Sequence, residues 1–494
     1  MTTTCTVEID WDHNGSYTDE SAYLVSASGN SALRAPESFI VSPRGQVDQC
    51  QIVLDNSAAS PRFALNDGTA IQAPVRVSVN TGSGAVPIFT GVIGGIRYTA
   101  QTPAAPASVV VTCYGVEYRL LQLRMSSTTA QFRTWFASVP TESHIIRQWL
   151  VNAGLTDGTH FKSQAWVEAN GGTATLDRGL FRIRWAWLDD ESPLEEIWQL
   201  AAACGGRVYA DRDGWIRYEN MEHWLLESGT TAVGRGDYVG LDLSMDDREL
   251  YGSITIEASA RELGNTVELW TPDEPVVVPP SGRVDVLARM DQPRDRINTV
   301  SYRPTTFGGQ YVANGVTYEM SNRYAQRITL TFYNQTAQAL VLQDLVLVGQ
   351  SVVGERGYDV TVESDSSYWT TRVKRNRSVR DNPYIQSRSQ ALRLAQFLRD
   401  RHENARLAGS IRGLSNPEIW CGSRLAVTDS PLLASARTFY VLGVRWTMTA
   451  AGFSSDCEIM EAASLYPYAT TVPRYFVVGT STLSNDTTRG RLFY

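Results

Sequence analysis

The stretch that most restricts the fold runs from Val47 to Ile96: VDQCQIVLDNSAASPRF, then APVRVSV, then PIFTGVIGGI. Cys50, Ile52 and Leu54 alternate with Gln49, Gln51 and Asp55, and Val75, Val77 and Val79 alternate with Arg76, Ser78 and Asn80. A period of two places one set of side chains on a buried sheet face and the other toward water, and no helix satisfies it. Asp55-Asn56-Ser57 and Pro61 end the first of these strands, and a loop runs to Ala73. In the third, Ile88 to Ile96, the interior glycines Gly91, Gly94 and Gly95 predict a bulge or bend of the kind that curls a sheet toward a barrel.

Other segments extend this pattern. Strands are expected at Thr6 to Trp11, Ala22 to Ser26, Ser38 to Val41 and Ser108 to Tyr114, the last apolar on both faces and so central in its sheet. A short helix is expected within Gly115 to Met125 and a firmer one from Thr141, as N-cap, to Gly154. In IRWAWLDDESPLEEIWQLAAACGG, a strand through Ile183, Trp185 and Trp187 leads into a helix. Ser192 reads as its N-cap, Pro193 as its first residue and Glu195 as the return arm of a capping box. Val208 to Ala210 and Trp215 to Glu219 form a hairpin about Asp211-Arg212-Asp213-Gly214.

Beyond Asp242 strands dominate again. The proline-rich run Thr271 to Gly282 cannot be a central strand, and Val284 to Val353, with AQRITLTFYN and LQDLVLVGQSV, has the spacing of a sandwich. A helix is expected from Asn382 (N-cap) and Pro383 to about Leu407, its exposed side basic through Arg388, Arg393, Arg399 and Arg401. Leu407 to Glu461 supplies at least four more strands, and the tail after Glu461 has no helical period.

The expected fold class is therefore mainly β with α+β parts, in several domains. These are an N-terminal β-barrel domain (1–124), an α/β domain (125–241) and a β-rich sandwich region (242–380, with the proline-rich loop 271–282). A helix plus second barrel region (381–464) and a C-terminal arm (465–494) follow. A chain of 494 residues needs no external staple to bury its cores, and its six cysteines, without a CxxC pair, read as reduced apolar residues. The net charge of −8 speaks against a dedicated nucleic-acid binder. The start lacks the basic and apolar regions of a signal peptide, and Ala337 to Val353 is too short to span a bilayer, so no membrane insertion is expected.

Signals for chemistry are sparse. Asp10, Asp12 and Asn14 match the first half of a calcium-loop pattern with Gly15 at its turn, but the twelfth position is Ser21 and a strand precedes the loop; either a cation or a plain Asx-type turn accounts for it. Apart from calcium there, no cofactor is expected. The five histidines have no zinc or metalloprotease spacing, and there is no GxSxG or Walker-type loop. Asp189-Asp190 and Glu195-Glu196 sit at a helix entry and first turn, where acids complement the helix dipole. Arg372, Lys374, Arg375, Arg377 and Arg380 form a basic cluster that suits either a polyanion or a protected sheet edge.

The order EIDWDxNG, QIVLDNxxxxPRF, PVRVSV, IFTGVIGGI, VVVTCYGVEYRLLQL, DESPLEEIWQLAAACGGRVYADRDGWIRYE, RITLTFYN and SNPEIWCGSRLAVTDSP…FYVLGVRW resembles the hub or baseplate-centre proteins of tailed bacteriophages. It is also similar to the N-terminal part of tail-associated lysin proteins. The resemblance spans about residues 6 to 465 and consists of strand and turn patterns, with no catalytic signature. It implies a non-enzymatic virion component at the tail tip, assembled in the host bacterial cytoplasm. It further implies a homotrimer whose two similar barrels per chain face the tail tube or distal tail ring. The tape measure protein and tip or receptor-binding proteins are the implied partners, and DNA only passes through. A cell-wall hydrolase domain of the kind many relatives carry is not visible before Tyr494. The alternatives are a β-rich carbohydrate-active enzyme using acids around Asp189 or Asp211, and a hexameric distal tail protein with a sugar-binding insertion in Val284 to Val353.

Overall fold

The computed structural model describes residues 4–57, 63, 70–82, 84–100, 107–126, 140–223, 229–354, 357–364, 366–449 and 452–462. The expected C-terminal arm lies outside them. The chain is mainly β, in several packed units.

The dominant element among the described residues is a 13-stranded sheet. From one edge it takes the strands Gly240–Met245, Leu407–Leu414, Gly452–Glu461, Arg437–Thr449 and Leu24–Ala32. It continues through Gln49–Asp55, Ser108–Gly115, Ala85–Thr99, Pro74–Asn80 and Thr4–Ile9, ending on the two-residue Thr18–Asp19. Strands far apart in sequence thus share one ladder, and the seam is the antiparallel pairing of Leu24–Ala32 with Arg437–Thr449. The latter strand forks: its first residues pair with Arg424–Thr428 and its later ones, past a register shift between Val441 and Gly443, pair with Leu24–Ala32. Both halves of the sheet turn their apolar faces to a common core, in which Val7, Ile52, Val77 and Val111 join Val427, Val441, Trp446 and Ile459. The bend expected in Ile88 to Ile96 is present as a register shift between Ile93 and Gly95.

The second unit gathers helix Glu142–Asn152, helix Pro193–Ala203, the hairpin Arg207–Ala210 with Ile216–Glu219, and helix Arg388–His402 around one core. A three-stranded sheet of Tyr358–Glu363, Ser253–Ala258 and Asn376–Val379 closes that core with Ile254, Ile256 and Val360. The third unit is a sandwich. Leu340–Gly354 is the centre of one sheet, flanked by Arg294–Thr305, Arg261–Trp270 and Val276–Val278, and it faces the sheet Arg283–Arg289, Arg327–Asn334, Val316–Ser321. Leu330, Phe332, Leu342 and Leu347 fill the space between. Among the described residues Val276–Val278, flanked by prolines, pairs only with Leu340–Gly354.

Five local expectations are corrected. Ser38 to Val41 is not a strand: the helix Pro36–Val41 starts with Pro36 in its first turn and buries Phe39 and Ile40 in the core it shares with helix Pro193–Ala203. Ile183, Trp185 and Trp187 form no strand, because the backbone of this segment is claimed by a side chain. Gln386 accepts from the Trp185 amide at 3.1 Å and donates to the Trp185 carbonyl at 2.6 Å. Ser192 occupies the N-cap without a side-chain cap bond, its hydroxyl donating instead to the Leu120 carbonyl at 3.2 Å, so the capping box with Glu195 is not formed. The long helix begins at Arg388, capped by Ser387, whose Oγ accepts from the Gln390 amide; Asn382 instead closes a turn by accepting from the Tyr384 amide. Finally, Arg399 and Arg401 are buried and do not extend an exposed basic face.

The six cysteines are free, as expected of small apolar residues. No helix among the described residues is long and apolar enough to cross a membrane.

Candidate functional site

The strand-to-loop corner at Asp10 is organised from within. The buried Asp10 carboxylate accepts from the Asn14 amide at 3.1 Å through Oδ1 and from the Gly15 amide at 2.8 Å through Oδ2. Asn14 Oδ1 accepts from the Ser16 amide at 2.7 Å, while Asp12 is exposed. Gly15 has φ +83°, a value open to glycine at little cost. These bonds already explain why a carboxylate is buried here. Among the described residues no group of three or more His, Cys, Asp and Glu is placed to hold a metal ion.

The acids considered for catalysis are tied to cations. Asp189 and Asp190 both meet Arg327, at 2.8 and 3.3 Å, which links the helix entry to the sandwich. Asp211 accepts from Arg217 Nε at 2.5 Å and from the amides of Asp213 and Trp215, fixing the hairpin turn. The basic cluster is likewise engaged. Lys374 pairs with Glu363 at 2.8 Å, Arg377 with Glu249 at 3.1 Å and Arg380 with Asp359 at 3.8 Å. Arg372 donates to the Tyr368 carbonyl and Arg375 to the Leu250 carbonyl. This charge guards the Asn376–Val379 strand, which among the described residues pairs only with Ser253–Ala258.

What the structure does bring together is the seam of the long sheet and the hairpin wedged against it. Gly29 stands opposite Trp446 across the seam, and the indole lies where a Cβ at Gly29 would be, 2.7 Å from Cε2 and Cζ2. The hairpin buries an ion pair, Arg207 with Glu219 at 2.7 Å through Nε, and Arg207 reaches the Arg34 carbonyl at 3.3 Å. Tyr209 donates to Glu219 Oε1 at 2.5 Å, and burial, reinforced by the carboxylate, pushes its phenol well up. At the tip, Arg212 donates to the Pro417 carbonyl at 2.9 Å and pairs with Glu418 at 3.0 Å. The hairpin therefore touches both halves of the sheet. The sequence-level reading missed this network, although the hairpin register already sets Arg207 opposite Glu219.

A second buried acid links helix Pro193–Ala203 to the segment ahead of helix Arg388–His402. Tyr384 donates to Glu196, whose carboxyl is pushed up to about 7 by burial against the favourable phenol bond.

No protein-family model matches the chain, and no curated protein matches it. Its neighbours among solved structures are phage tail proteins and related secretion components. A tail protein from Neisseria meningitidis aligns over 93% of this chain and 97% of its own, at 9% identity and TM-score 0.46. A prophage tail protein from Shewanella oneidensis aligns over 93% and 99%, at 8% identity and TM-score 0.47. An Escherichia coli type VI secretion component, described as structurally similar to the T4 tail proteins gp27 and gp5, aligns over 93% and 79%, at 11% identity and TM-score 0.40.

Proposed function

We propose that the chain is a non-enzymatic structural hub of a phage tail tip or baseplate. It acts as a homotrimer that closes the tail tube, anchors tip or receptor-binding proteins and opens for tape measure and DNA on host contact. The observation that carries the reading is the single 13-stranded sheet, in which the strand regions near the two ends of the chain lie side by side around one core. A chain built this way presents two strand-built units on one rigid wall, and three copies present six to a six-fold tube or distal tail ring. The order of strand and turn motifs supports the same reading, and the engaged state of Asp189, Asp190 and Asp211 fits an architectural role for these acids.

Native mass measurement of the full chain, followed by imaging with purified tail tubes, tests it. A trimer capping one end of the tube is expected. A stable monomer that leaves tubes uncapped and releases products from cell-wall polysaccharide would refute the hub, and a six-fold ring would favour a distal tail protein.

A further inference from the structure

Asp48 precedes the Gln49–Asp55 strand and Glu117 follows the Ser108–Gly115 strand, whose register sets Gln49 opposite Tyr114 and so brings the two acids together. Both are buried, Glu117 to 2% exposure. The Asp48 amide donates to Glu117 Oε1 at 3.0 Å, and the Gly115 amide donates to the Asp48 carbonyl at 2.8 Å. Glu117 Oε2 has no hydrogen-bond partner among the described residues. It rests on Gly115, where a Cβ would come within 2.5 Å of it.

The groups facing this pair come from four further segments. The Ser31 hydroxyl and the Ala32 amide meet Asp48. Asp211 acts on both acids from the hairpin, its own charge held by Arg217 at 2.5 Å. The Cys421 thiol donates to the Ser31 carbonyl at 3.3 Å, and Arg207 beyond it is already bound to Glu219. At the hairpin tip, Gly214 packs on Thr90 and Val116. The two carboxyls are thus buried in one place whose neighbouring charges are acids or cations committed elsewhere, and ionising both there is costly.

We propose that Asp48 and Glu117 form a proton-held latch: a proton kept on the pair closes the junction between the long sheet, the hairpin Arg207–Glu219 and the Cys421 loop, and its loss loosens that junction. The latch is independent of the tail-hub reading. Burial pushes Glu117 up to about 7, and burial followed by repulsion from Glu117 pushes Asp48 up as well. Because the folded values lie above the ordinary carboxylate value, this stabilisation is complete at acidic pH and is lost as pH rises through about 7.

Hydrogen exchange on the full-length protein, corrected for intrinsic rates, tests the latch. Peptides spanning 46–50, 113–118 and 207–219 should lose about tenfold or more protection between about pH 6 and about pH 8.5, relative to sandwich peptides in 283–334. Glu117→Gln should abolish that difference, and Asp48→Asn should do the same if Glu117→Gln does not fold. Equal pH dependence of junction and sandwich in the unaltered protein would overturn the latch, as would a foldable neutral variant that keeps the loss.

Discussion

Replacing Gly29 by alanine probes the seam that makes one sheet of two regions. The added Cβ would sit 2.7 Å from two indole atoms of Trp446 and 2.7 Å from the Gln49 carbonyl oxygen. Carbon contacts relax to about 3.5–4 Å, so something must move by about 1 Å. Trp446 is 2% exposed and cannot swing into water without opening the common core. Overpacking of this kind costs about 1–3 kcal/mol, and the stiffer unfolded chain returns about 0.4–1 kcal/mol, leaving a net loss of about 1–2 kcal/mol. Trp446→Leu should destabilise on its own. It removes the ring clash but not the carbonyl clash, so the double variant should recover about 1 kcal/mol relative to the sum of the single changes. Guanidinium unfolding followed by near-ultraviolet dichroism reads all four states. A neutral Gly29→Ala, or strict additivity with Trp446→Leu, would show that the indole does not pack on Gly29.

Ser387→Ala should cost about 1 kcal/mol in the same assay, because the Gln390 amide loses its cap at 3.2 Å. An unchanged midpoint would move the start of that helix elsewhere. Glu219→Gln should destabilise by about 3–5 kcal/mol, since it leaves the Arg207 charge buried, whereas the joint change Arg207→Met with Glu219→Leu should be far milder. Equal losses from both would contradict a desolvation-dominated pair. Asp10→Ala should lower stability by about 2 kcal/mol through its bonds to the Asn14 and Gly15 amides, with or without chelator. A melting temperature that falls on chelation, and falls no further in Asp10→Ala, would instead establish calcium at Asp10, Asp12 and Asn14.

The period-two runs at Gln49–Asp55 and Pro74–Asn80, the bulge near Gly94 and the hairpin about Asp211 could be read directly, because alternation and turn chemistry depend on residues adjacent in the chain. The mainly β class followed from them. Where the reading failed, a distant group had intervened. Gln386 claims the backbone at Trp185, about 200 residues away in sequence. Leu120 diverts the Ser192 hydroxyl, and the core shared with helix Pro193–Ala203 makes Phe39 and Ile40 helical. Arg401, polar in any periodicity count, is buried with its guanidinium over the Phe397 ring.

The sequence by itself determined that runs such as Gln49–Asp55 and Pro74–Asn80 are strands and which face of each is apolar, since those follow from side chains one and two residues apart. Only the tertiary structure decided that Leu24–Ala32 pairs with Arg437–Thr449, that both halves share a core, and that Asp48 and Glu117 are buried together. Edge pairing and burial are chosen by what else competes for the same backbone groups and apolar faces, and those competitors are set only once the whole chain has folded.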